Sequence, residues 1–203
     1  MKDSTKIISS LIITTIIFSS GFLISNIIIE NKINLLNELQ SELYSESLGF
    51  DTLNELVKGD ICNENSTIEI NMILTEFGNK ISYLESKNID LISLKNQYYA
   101  LEIKHYLLIN EINEKCGKKY DTILYFYGTE DECKLCSIQG EEITRLKNNS
   151  PEKMVYSFDY NSEYLLVRNL INTNSIEITP SIIINKEKYE GFLNYNDLNK
   201  FFS

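Results

Sequence analysis

Cys133 and Cys136 stand three residues apart, directly after the apolar run Ile123-Leu124-Tyr125-Phe126-Tyr127 and at the start of a helix-like stretch that ends near Lys147. Two thiols at this spacing, entering a helix from the end of a buried strand, suit dithiol–disulfide chemistry. The first lies where free backbone N–H groups and the positive end of the helix dipole stabilise a thiolate. The second lies one turn further in, close enough to attack a mixed disulfide formed on the first. The competing reading of the pair is a fixed disulfide or an inert dithiol; a zinc site using all four cysteines is a third. Such sites usually pair two short knuckles, and only one is present here. No metal and no cofactor are expected.

The other two cysteines, Cys62 and Cys116, bracket a helical hairpin. Residues 65–86 carry Ile70, Ile73, Leu74, Phe77, Ile81 and Leu84 on one stripe. Residues 90–115 carry Leu91, Leu94, Tyr98, Leu101, His105, Leu108 and Ile112 in steps of three and four, a heptad-like seam of coiled-coil type for an antiparallel partner. The turn falls at 87–90, midway between Cys62 and Cys116, so folding the hairpin brings these two together at its open end. A structural disulfide there closes a long loop and stabilises by roughly 4 kcal/mol in the chain-entropy model. The alternative is a pair of buried, unpaired thiols. His105, the sole histidine, lies on the apolar seam and reads as a core residue with one hydrogen bond.

The elements that hold these residues fall into three segments, 1–30, 31–118 and 119–203. Residues 7–29 carry no charge, and as a helix they extend roughly 35 Å, enough for a hydrocarbon core of about 30 Å. Ser and Thr within this run can bond back to their own helix. A cleaved signal peptide would have a shorter apolar region followed by a small-x-small site, whereas here Ile27, Ile28 and Ile29 continue the run. A retained signal anchor is therefore expected. Lys2 and Lys6 precede the span, while Glu30 and Lys32 follow it, which puts the N-terminus in the cytoplasm and the rest outside. An even number of cysteines suits that compartment.

The stretch from 31 to 115 has no proline and only Gly49, Gly59 and Gly78, which reads as helical. A first helix is expected over 31–47, broken at 48–51, with Asp51 capping a short helix through Val57. The net charge of -10 across 203 residues excludes nucleic acid as a partner, because nothing would neutralise phosphates. Asn65-Ser66-Thr67 and Asn148-Asn149-Ser150 match the glycosylation sequon, a weak signal in an Asn-rich chain.

From 119 onward the pattern changes to strand 122–127, helix 133–147, strand 154–158, helix 162–171, strand 181–184, a short strand at 188–190 and helix 195–202. This βαβαββα order describes an α/β sandwich: a parallel unit, then a hairpin, with helices on both faces. With Cys133-Lys134-Leu135-Cys136 at the strand–helix junction, Thr179-Pro180 before a strand and Gly191 after the hairpin, the segment resembles the thioredoxin/glutaredoxin superfamily. The resemblance implies a cis Thr179-Pro180 bond facing the cysteines and a substrate groove at Thr179, Pro180 and Gly191. It also implies thiol–disulfide exchange on protein thiols and disulfides, with Cys133 exposed and attacking and Cys136 resolving. A membrane redox partner fits such a role.

The chain departs from the family in having no Trp, in placing Glu132 before the first cysteine, and in lacking the first strand and helix of full thioredoxin. The helix at 90–115 is expected to cover the face left open. No His separates the cysteines, which favours reductant or isomerase-like exchange over strong oxidation. The rival reading is a non-catalytic interaction protein that works through its helical region.

Overall fold

The computed structural model describes residues 2–56, 62, 64–87, 91–117, 120–150 and 152–202, with side chains described from residue 11 and not at 53–61 or 63–69. The expected turn at 88–90, the helix end at Val57 and the side chains of the first sequon lie outside these residues. The chain divides into two units, 1–44 and 45–203.

The first unit consists of helix α1, Lys2–Leu56, which continues into the second. From Leu11 onward it is long and apolar enough to cross a membrane, judged by length and composition. Thr15 Oγ1 donates to the Leu11 carbonyl and Ser20 Oγ to that of Ile17, so hydroxyls in the apolar run are satisfied within the helix. The expected break at 48–51 does not occur. One glycine, Gly49, costs a helix only about 1 kcal/mol relative to alanine, too little to stop it. Asp51 is not a cap; its carboxylate instead accepts from Lys104 Nζ at 2.9 and 3.0 Å.

In the second unit, α2 (Glu64–Glu85) and α3 (Ile92–Cys116) pair. Lys95 meets Glu85 at 2.8 Å, and Tyr98 Oη donates to the Leu74 carbonyl. Cys62 and Cys116 are joined at 2.04 Å across 54 residues of chain. These partners are spaced about the turn as an antiparallel pair requires. Ile70, Leu74, Phe77, Ile81 and Leu84 are buried along α2.

The α/β part follows as β1 (Asp121–Tyr127), α4 (Cys136–Asn148), β2 (Lys153–Asp159), α5 (Leu165–Thr173), β3 (Ser181–Ile184), β4 (Glu187–Glu190) and α6 (Tyr195–Asn199), then a 3-10 turn at Lys200–Phe202. Strand order is β2-β1-β3-β4. β1 and β2 run parallel, and β3 is antiparallel to both β1 and β4. This is the expected βαβαββα sandwich, and its core joins Ile123, Tyr125, Ile182 and Ile184 of the sheet to Ile143, Leu146 and Leu198.

The missing first strand leaves β2 at the edge, and α3 closes it with side chains. Ser157 N–H donates to Glu102 Oε1 at 3.1 Å and Asp159 N–H to Tyr99 Oη at 3.4 Å. An exposed strand edge invites pairing with other chains, and these two acceptors occupy two of its outward donors. Tyr99 also packs on Phe158 and His105 on Tyr156, with Tyr156 Oη and His105 Nδ1 3.1 Å apart. His105 is thus a fully buried core residue. The buried face of α3 is wider than the seam expected, taking in Tyr99, Glu102, Ile103 and Ile109, because one side faces α2 and the other the sheet.

Candidate redox site

The site assembles where β1 ends. Gly128 follows β1, and residues 129–133 close a tight turn in which the Glu132 and Cys133 N–H groups both donate to the Thr129 carbonyl. Cys133 and Cys136 are joined as a disulfide, sulfur to sulfur 1.96 Å. The helix starts later than expected: Cys136 is its first residue and Leu135 precedes it without a side-chain cap. Cys133 therefore sits in the turn leading into α4, still at the positive end of its dipole.

The expected contrast in exposure is absent. Cys133 is 5% exposed and Cys136 6%. What distinguishes them is their bonding. Gly128 N–H donates to Cys136 Sγ at 3.4 Å, and Tyr125 Oη donates to the Cys136 carbonyl at 2.6 Å. The second cysteine is tied inward to the end of β1.

Thr179-Pro180 is cis, as the resemblance implied, and Pro180 is buried. A Cβ on Gly128 would meet Thr179 Oγ1 at 3.0 Å, Cys133 Cβ at 3.4 Å and Glu132 Oε2 at 3.7 Å. A side chain at 128 would require Thr179 to give by a few tenths of an ångström, so glycine suits this close approach of the proline loop to the dithiol turn. The Pro180 carbonyl accepts from Gly191 N–H at 2.8 Å. Gly191 has φ 86, in the left-handed region, so glycine is required there for backbone reasons. Nothing within the chain crowds it.

Three contributors escaped the sequence reading. Gln139 is fully buried and its amide bonds both ways with the Leu193 backbone, at 3.0 and 2.7 Å, fastening the loop after β4 to α4. A polar residue one turn after Cys136 on the buried side of α4 was the available signal. Tyr125 belongs to the apolar run before the motif, and its bond to the Cys136 carbonyl depends on tertiary packing. Glu102 lies on α3, outside the segment that carries the motif, and had no local signal.

Glu102 has a measurable consequence. Burial, opposed by the Ser157 N–H bond and by Tyr98 and Lys147, pushes its carboxyl up to about 8. Lys147, half-buried, is shifted down mainly by its own desolvation. Between the usual carboxylate range and pH 8 the folded chain keeps a proton that the unfolded chain has released. Raising pH through this window therefore favours unfolding. Glu102→Gln keeps the acceptor for Ser157 and removes the titration. Denaturant melts from pH 5 to 8.5 are expected to show the parent losing stability relative to this variant by on the order of a few kcal/mol. Parallel curves would refute the assignment.

No family model matches the sequence, and no curated protein matches it. Among solved structures, it is similar to a malaria-parasite thioredoxin-2 at 23% identity, covering 42% of this chain and 82% of that one, with a TM-score of 0.35. A chloroplastic thioredoxin z is similar at 18% identity over 46% of this chain and 84% of that one, with a TM-score of 0.35. Thioredoxin O2 from Arabidopsis thaliana, in its oxidized state, is similar at 18% identity, covering 44% and 76% of the two chains, again at 0.35.

Proposed function

We propose that this chain is a membrane-anchored thiol–disulfide oxidoreductase whose dithiol works outside the cytoplasm on protein disulfides. The observation that carries this reading is the convergence at Gly128 of the Cys133–Cys136 turn and the cis Thr179-Pro180 loop. A dithiol beside a half-buried Thr179 and an exposed Ile178 can receive a polypeptide and exchange sulfurs with it.

In the reducing direction, the Cys133 thiolate attacks one sulfur of a substrate disulfide and expels the other as a thiolate. Cys136, giving up its proton, then attacks Cys133 Sγ. The substrate leaves as its second thiolate, having gained the two electrons that the Cys133–Cys136 pair gives up on closing its own disulfide. Thr179, Pro180 and Gly191 form the groove. A partner dithiol or disulfide, in the membrane or beside it, resets the pair.

Sidedness rests on Lys2 and Lys6 before the span and on the bridged Cys62 and Cys116, since such bridges persist in oxidising compartments. A membrane-impermeant maleimide applied to intact cells after brief reduction is expected to label Cys133. Labelling only after lysis would place the domain inside, as a tethered cytosolic reductase.

A further inference from the structure

The residue before the dithiol is held in place. Glu132 Oε2 accepts from Asn161 Nδ2 at 2.5 Å and from Thr129 Oγ1 at 2.9 Å. These bonds, that of Asn161 first, hold its carboxyl below the usual range, so this exposed group is ionised at neutral pH. Glu132 Oε2, Cys133 Cβ and Thr179 Oγ1 all lie within 4 Å of one point above Gly128. A fixed negative charge thus stands beside both the attacking residue and the groove. Glu130 and Asp131 in the same turn are also exposed, and Lys134 is the only cation from 128 to 136.

Exposed apolar residues adjoin the dithiol and the groove along the chain, two at the start of α4 and one each beside Thr179 and Gly191. Leu135 is 47% exposed, Ile138 45%, Ile178 51% and Phe192 37%. Gln139 fixes the Phe192 loop against α4 through the Leu193 backbone. An apolar rim with one anchored carboxylate is complementary to an apolar segment that carries a cation next to its cysteine.

We propose that Glu132 sets substrate choice, so that the dithiol prefers extended, apolar polypeptide segments whose disulfide-bonded cysteine is flanked by lysine or arginine. The inference rests on the exchange reading above. At an exposed site one charge pair changes a rate by a small factor. Attraction of lysine plus repulsion of glutamate gives a preference of about five- to tenfold at low salt, mostly screened at about 0.5 M.

The test uses the reduced full chain in detergent micelles and two disulfide-linked peptide homodimers, alike except for Lys or Glu beside the cysteine. Each rate is divided by the rate with a small uncharged dithiol, which removes the peptides' intrinsic difference in reactivity. The parent chain is expected to favour the Lys peptide by about five- to tenfold. Glu132→Gln, which can still accept from Asn161 and Thr129, is expected to reduce the ratio to about two- to threefold, the remainder coming from Glu130 and Asp131. Glu132→Lys is expected to bring it below one. Equal rates with the parent, or an unchanged ratio in Glu132→Lys, would overturn the inference and leave the exchange reading standing. Reduction of neither peptide would overturn the exchange reading and this inference with it.

Discussion

With Cys133→Ser, catalysed reduction of a protein disulfide such as insulin is expected to fall to the uncatalysed background, a loss on the order of a thousandfold or more. A hydroxyl in that turn cannot form the mixed disulfide, and Cys136 cannot replace it. The Cys136 sulfur takes the Gly128 N–H and its residue is tied to Tyr125, so it faces the end of β1 and not an incoming chain. Cys136→Ser should fail differently. It retains the attacking thiol and is expected to accumulate a covalent adduct with substrate, visible by mass. In the reduced parent, iodoacetamide near neutral pH is expected to modify Cys133 first, since the thiolate is the reactive form. Residual turnover in Cys133→Ser, or first alkylation at Cys136, would reverse the roles.

The double substitution Cys62→Ser and Cys116→Ser is expected to cost about 4 kcal/mol of stability, because reopening this loop returns entropy to the unfolded chain. For a domain of this size the midpoint should drop by roughly 10 °C. Exchange activity measured well below the transition should remain, since these cysteines lie outside the dithiol site. An unchanged melting point would show that the bridge adds nothing. Activity lost in parallel at low temperature would mean that the hairpin shapes the site.

Much of this architecture was legible because its signals are local. Short apolar runs and turn residues placed β1, β2 and β3 within a residue or so. The 3.6-residue period placed α2 and α3, and their pairing follows from where Cys62 and Cys116 stand about the turn. The dithiol and its proline were legible because their spacing is set by the chain itself. What escaped depends on partners distant in sequence. Nothing near Gly49 reveals that α1 continues, for a glycine ends a helix only when the following residues have somewhere else to go. Glu102 reads as a solvated position on a charged helix until the edge of β2 is set beside it. The α4 start was placed three residues early because the turn that ties Cys133 to Thr129 resembles a helical turn in its residues. Exposure was misjudged for the same reason: the bridged pair is packed under its own loop.

The position of α3 bears on how such a protein can arise and be taken apart. One side of this helix completes a hairpin and the other supplies acceptors to a strand that would otherwise be an open edge. The dithiol segment is therefore not a portable cassette. Cut free at residue 118, it would lose the cover over Tyr156 and Phe158 together with the partners of the Ser157 and Asp159 N–H groups, leaving a sticky ribbon. A segment cut there is expected to aggregate through that edge, so the helical pair and the dithiol segment form a single folding block.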